Sequence, residues 1–165
     1  GDRVIVNPLR IRKHIVNELE ASLVLFFTGA SRDSAKIIDD QVNSLKQPTH
    51  DALEAMHRVK ASTYRIKELL LKSDIEGVSH EFKSAWTHKK ATSKSISNPM
   101  IERVEYVANK AGAKSLKVSG AGGGGFMMIF VEPEHKLDLV RALENCEGSV
   151  KPLKFTDEGA YSWTV

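Results

Sequence analysis

Five of the eleven glycines in this 165-residue chain fall within six positions, Gly120-Ala121-Gly122-Gly123-Gly124-Gly125, between Ser119 and the apolar run Phe126 to Val131. A segment with almost no side chains lets its N–H groups converge on a bound anion without obstruction. The spacing Gly120, Gly122, Gly125 formally satisfies GxGxxG, yet a dinucleotide loop must open a helix inside a β-α-β unit. Here the loop runs into a strand-like segment. A Walker phosphate loop is excluded as well, because Phe126 and Met127 stand where Lys and Ser/Thr would follow the last glycine. Two readings remain. A loose hairpin connection needs only one or two glycines for positive φ, whereas five imply that another body approaches the backbone closely.

A second segment with phosphate or sugar-phosphate chemistry is Thr28-Gly29-Ala30-Ser31-Arg32, between a strand end and a helix start. Free N–H groups, a helix dipole and one guanidinium would suit an anion there. Plain helix capping with an exposed Arg32 accounts for the same residues. Lysines cluster at 89, 90 and 94 and again at 110, 114 and 117; a solvated helix face is the favoured reading over an anion-facing patch. The six histidines give no HExxH and no ligand spacing with Cys146, so no metal site is expected. No serine sits in a nucleophile elbow.

The elements that would position these residues follow from periodicity. Arg3 to Val6 is strand-like, and Glu20 to Thr28 contains the apolar run Leu23 to Phe27, a buried strand ending at Gly29. Ser31 would cap a helix through Leu45 with Ala35, Ile38, Val42 and Leu45 on one face. After Pro48, Thr49 would cap a long helix facing inward through Leu53, Met56, Val59, Thr63, Ile66 and Leu70. A third helix spans about Val78 to Ala91, burying Val78, Phe82, Ala85 and Trp86. Ser93 to Ser97 is a polar break. Asn98-Pro99 reads as N-cap and first helical residue of a fourth helix, with Ile101, Val104, Ala108 and Ala111 inward and Gly112 as stop. Ser115 to Ser119 and Gly125 to Val131 are strands flanking the glycine loop. Pro133 begins a helix with Leu137, Val140 and Leu143 inward. Val150 to Phe155 and Ala160 to Val165 close the chain as strands about Asp157-Glu158-Gly159. The predicted class is α+β: a ferredoxin-like split β-α-β sandwich with an enlarged multi-helix first crossover, helices lying against one face of a mainly antiparallel sheet.

Composition narrows the function classes. With 24 basic and 21 acidic residues the net charge is +3, too small an excess to argue for nucleic acid. No aromatic pair of the kind that stacks RNA bases stands on the predicted strands. A hydrophobic content of 41% supports a single core, and no apolar stretch reaches the ~20 residues that span a bilayer. One cysteine precludes an internal disulfide framework and fits a reducing, cytoplasmic setting. The abrupt opening at Gly1-Asp2 reads as a position inside a longer protein. A ferredoxin-like regulatory module whose glycine loop holds a small anionic effector is the non-catalytic alternative.

The run Lys117-Val118-Ser119-Gly120-Ala121-Gly122-Gly123-Gly124-Gly125-Phe126 resembles the third motif of the GHMP small-molecule kinases. Trp86 with Lys89 and Lys90, then Ile96-Ser97-Asn98-Pro99 and Ala111-Gly112-Ala113, match its surroundings. Together with Phe26 to Arg32, they resemble the branch acting on D-glycero-D-manno-heptose 7-phosphate. The resemblance covers essentially residues 1–165 as the family's C-terminal domain, or a domain from about residue 18 with 1–17 belonging to a junction. It implies ATP-dependent γ-phosphoryl transfer to a sugar hydroxyl, the anomeric one, giving a 1,7-bisphosphate for bacterial surface polysaccharide. It also implies that Ser119 to Gly125 enter an interdomain cleft beside nucleotide phosphates and acceptor. The second motif, which cradles ATP and helps hold Mg²⁺, is nowhere in this sequence, and neither is the first motif or the acidic residue near the acceptor hydroxyl. ATP and Mg²⁺ are therefore expected in a complete enzyme with an N-terminal domain. No bound cofactor, catalytic residue or turnover is expected of this chain alone.

Overall fold

A computed structural model describes residues 5–29, 37–40, 42–43, 50–156, 158–160 and 162–164. Helix α1 spans Lys13–Ser22 and leads directly into strand β1, Leu23–Phe27. After a helical stretch at 37–40 and 42–43 come α2, His50–Leu71, and α3, Ile75–Thr92. A 3₁₀ turn, Lys94–Ile96, precedes α4, Pro99–Lys110. Strands β2, Ser115–Val118, and β3, Phe126–Phe130, flank the glycine segment. A 3₁₀ turn at Pro133–His135, helix α5, Lys136–Leu143, and strand β4, Ser149–Lys151, complete the order.

The four strands form one antiparallel sheet in the order β2-β3-β1-β4. β3 lies between β1 and β2, and β1 lies between β3 and β4, so each β-α-β unit is split by a strand of the other. The mixed helical and antiparallel architecture is thus as the sequence predicts. Alternation along the strands sorts two faces. Val24, Phe26, Leu116, Val118, Met127 and Ile129 are buried and pack with Ile101, Val104 and Ala108 of α4 and Leu139 and Leu143 of α5. Each such fully buried aliphatic side chain contributes about 1.5–3 kcal/mol relative to exposure. The opposite face is packed at one end only. There Leu23 and Phe130 meet Ile15 and Leu19 of α1, Leu69 of α2, and Ile75 and Val78 of α3. Toward the glycine segment that face thins out to half-buried Leu25, Phe27 and Met128 and exposed Phe126.

Several sequence expectations shift. β1 coincides with the predicted apolar run Leu23 to Phe27, but residues 13–22, to which the sequence reading gave no element, form a helix. Its buried positions Ile15, Leu19 and Ser22 carry helical spacing that the strand reading passed over. On the first crossover the inward face is one residue off: Ile37 is buried, while Ile38 and Val42 are exposed. The same slip occurs on α2, where Ala55, Ser62 and Leu69 are buried and Leu53 and Thr63 are exposed. Adjacent apolar residues offer two stripes, and only the partner helix selects one; a seven-residue step over Ala55, Ser62 and Leu69 fits the α2–α3 hairpin. On α5 the buried residues are Leu139 and Leu143, not Leu137. The closing strands are reduced to Ser149–Lys151. Residues 152–156, 160 and 162–164 form no strand, nor do 5 and 6. Ser31, Ala35, Leu45 and Thr49 lie outside the described residues.

The α3 and α4 assignments hold. Asn98 Oδ1 accepts from the N–H groups of Met100 and Ile101, Pro99 occupies the first turn, and Gly112 takes φ +89° beyond the helix end. The α2–α3 turn needs Gly77 for space: a Cβ there would fall 2.5 Å from Asp74 Oδ2, the oxygen-bearing group that caps α3.

Candidate functional site

The glycine segment leaves β2 at Val118 and returns along β3 from Phe126, while Thr28 at the end of β1 lies beside its last residue. All five glycines have positive φ: +73°, +115°, +71°, +156° and +88° at 120, 122, 123, 124 and 125. The composition is therefore required by backbone conformation, position after position. Space matters only locally. A Cβ on Gly122 would lie 3.1–3.2 Å from Ile96, including its backbone, whereas Gly120 and Gly125 face nothing within 4 Å. The close-approaching body at Gly122 belongs to this chain.

Four residues from separate parts of the fold hold the loop. Gly123 N–H donates to Ile96 O at 2.8 Å, and Asn98 Nδ2 donates to Gly123 O at 2.8 Å. Thr28, 3% exposed, accepts from Gly125 N–H through Oγ1 at 2.9 Å and donates to Gly125 O from both its hydroxyl and its own N–H. Lys89, from α3, donates to Gly120 O. Ser119 N–H continues the β ladder to Phe126 O. The N–H groups of Gly120, Ala121, Gly122 and Gly124 meet no acceptor among the described residues.

The cations around the loop divide sharply. Lys90 is neutralised by Glu105 of α4, with Nζ 3.1 Å from both carboxylate oxygens and 5.4 Å above the Trp86 ring. Lys89, one residue earlier, projects elsewhere on the helix and reaches the loop carbonyl. Burial, with a contribution from the charge of Lys117, lowers its pKa to about 8. Lys117 stands on β2 with Nζ 5.2 Å from the centre of the Phe82 ring, and burial lowers its pKa too. Among the described residues neither lysine has a carboxylate partner. The reading of these two lysines as solvated surface is corrected: they are half-buried and face each other's charge beside the loop. A lysine between buried Leu116 and Val118 was the available signal, since strand alternation places it on the opposite face.

Of the other predicted contacts, Thr28 is buried and engaged with the loop itself. Gly29 is exposed with φ +75°, and Ser31 and Arg32 lie outside the described residues. The sequence also missed two residues of the site. Ile96, inside the expected polar break, is 0% exposed and braces Gly122. Asn98 is both helix cap and loop anchor. An aromatic pair, moreover, does stand on the strands: Phe27 of β1 and Phe126 of β3 are register partners with ring centres 5.0 Å apart. They flank the loop at the ends of their strands.

No group of three or more acidic, histidine or cysteine side chains able to hold a metal occurs among the described residues, and the loop's own neighbours are cationic. Mg²⁺ does not fit the donor set here.

A glycine loop between antiparallel strands, tied to Lys89 of α3 and braced by Ile96 and Asn98, sits at one end of an α+β domain. The model of the GHMP kinases' C-terminal domain matches residues 66–148, half of the chain, and the chain belongs to that family. It is 41% identical over 163 residues to the D-glycero-alpha-D-manno-heptose 7-phosphate kinase of Campylobacter jejuni subsp. jejuni, covering 99% of this chain and 48% of that enzyme. A solved D-glycero-D-manno-heptose 1-phosphate kinase from Bacteriodes thetaiotaomicron is 36% identical with a TM-score of 0.68, over 99% of this chain and 42% of that one. A mevalonate kinase from L. major, at 20% identity and TM-score 0.67 over 75% of this chain and 38% of its own, shares the fold. The chain spans about half the length of the heptose phosphate kinases it matches. No helix among the described residues is long and apolar enough to cross a membrane.

Proposed function

We propose that residues 1–165 form the C-terminal half of an ATP-dependent sugar kinase that phosphorylates D-glycero-D-manno-heptose 7-phosphate at C1. The observation that carries this reading is the 41% identity to a heptose 7-phosphate kinase across 99% of the chain. The glycine loop, Ser119 to Gly125, supplies rigid backbone donors on one wall of the site. Phosphoryl transfer needs little covalent chemistry from protein but demands positioning and neutralisation of several phosphate oxygens at once. Preorganised N–H groups and ammonium groups suit that task. Among the described residues no general base and no carboxylate ligands for Mg²⁺ stand around the loop, and on this reading both come from the other half of the enzyme. The chain alone is then inert, and the complete protein works where ATP and reduced thiols are found, in the cytoplasm.

The two heptose phosphate kinases differ in the acceptor their names state, which makes the test specific. The complete protein is given ATP and, separately, heptose 7-phosphate or heptose 1-phosphate, with product position read by phosphorus NMR. Formation of the 1,7-bisphosphate from the 7-phosphate alone is the expected result. Turnover of the 1-phosphate alone would move the assignment to the other acceptor. No turnover of either, with effector binding that alters a partner's activity, would replace the kinase by a regulatory module.

A further inference from the structure

At the loop end of the sheet the Lys89 ammonium lies on the Gly120 carbonyl, the Lys117 ammonium lies against the Phe82 ring near enough for its charge to act on Lys89, and neither has a carboxylate partner among the described residues. Three other lysines have carboxylate partners. Lys90 bonds Glu105, Lys114 bonds Glu132, and Lys154 bonds Glu20. Bringing two like charges together while removing them from water is unfavourable, and it persists in folds chiefly where an anion is to be received. Lys89 is held by the Gly120 carbonyl, and Lys117 lies along the Phe82 ring, so neither is free to swing away without losing a contact. A tetrahedral dianion is matched to this set: it accepts from several N–H donors and from two point charges at once.

We propose that Lys89 and Lys117 form a two-cation seat for a phosphate dianion at the foot of the glycine loop, with Lys89 also setting the loop's height through the Gly120 carbonyl. The seat rests on the kinase reading only for the source of that phosphate. Two substrates of the reaction carry one: the phosphate monoester already on the acceptor sugar and the terminal phosphate of the nucleotide. The seat explains why the two lysines tolerate burial, and it assigns a role to side chains that the loop's backbone alone does not fill. It also predicts that methionine, similar in length and apolar, can replace either lysine without opening a void.

The test uses the complete protein and the variants Lys89→Met, Lys117→Met, the double variant and Lys89→Arg, each first checked for wild-type circular dichroism and melting. If the seat holds the acceptor's phosphate, KM for the sugar phosphate rises by about 10- to 100-fold, the value of a charged hydrogen bond. KM for ATP then moves less than KM for the sugar phosphate, and Lys89→Arg recovers most of the Lys89→Met loss. If KM for ATP rises instead, the seat holds the nucleotide's phosphate. If neither KM moves more than about twofold, or if only kcat falls, Lys89 is merely a loop tie and the seat is overturned. Calorimetric titration of inorganic phosphate separates this from failure of the kinase reading. Binding by wild type that is lost in the double variant supports the seat even where no sugar is turned over, and equal binding by both overturns it.

Discussion

The two ends of the sheet treat buried polarity in opposite ways. At the end where β2 begins and β3 finishes, Ser79 and Ser115 share a buried hydrogen bond at 2.9 Å, and Lys114 bonds Glu132, which holds its pKa above the ordinary lysine value. Glu18 and Glu76 line the same cavity of about 230 Å³. At the glycine end Lys89 and Lys117 have no such partners among the described residues, and burial lowers their pKa values. One end is balanced within the chain. At the other, the proposed phosphate seat would supply the missing charge, and this asymmetry along a single sheet is what the seat is argued from.

The largest effect expected at either end is from Gly122→Val. It places a β-branched residue at φ +115° against the Ile96 backbone. Backbone strain of about 1–3 kcal/mol adds to overpacking of similar size, so urea denaturation of the variant should show a loss of roughly 2–6 kcal/mol from those two terms. Gly120→Ala, with open space around it, should lose only the strain. Equal losses would show that space at Gly122 is irrelevant. Next comes Thr28→Val, which leaves the Gly125 N–H without its acceptor and should cost about 1–3 kcal/mol, together with faster amide exchange at Gly125.

At the balanced end, Ser79→Ala alone should cost about 1–2 kcal/mol by stranding the Ser115 hydroxyl, while the double change with Ser115→Ala should cost less than the sum. Strict additivity in a double-mutant cycle would break the claim that these hydroxyls depend on each other. A smaller effect distinguishes the lysines by pH. Lys89 is lowered from 10.5 to about 8, so between these values the unfolded chain binds the extra proton. Its contribution therefore makes the fold more stable as pH rises from about 8 toward 10.5, and Lys89→Met should flatten that rise. Lys114, raised by Glu132, has the opposite sign: its stabilisation is full below the ordinary lysine value and fades as pH climbs through the folded one. Lys114→Gln should have the smallest consequence, a surface pair screened by salt.

Much of this was legible without coordinates. The Asn98-Pro99 cap, the α4 stripe, the β2 and β3 segments and the split strand order all rest on local signals that tertiary contacts reinforced. The misplacements share a cause. On α2 and around Ile37 and Ile38, neighbouring apolar residues offered two equivalent stripes, and periodicity alone does not rank them. Chain ends were over-assigned as strands because apolar alternation in Val150 to Phe155 signals a strand only where a partner edge exists, and β1 pairs with it over just three residues.

The sequence by itself determined the glycine loop, its exit into a strand and the family, because these depend on residue type at fixed spacing. Only the tertiary structure decided what surrounds the loop. Ile96, Asn98, Thr28, Lys89 and Lys117 converge on it from separate elements, and whether a lysine is solvated or desolvated depends on which groups from distant segments exclude water and which charges they bring.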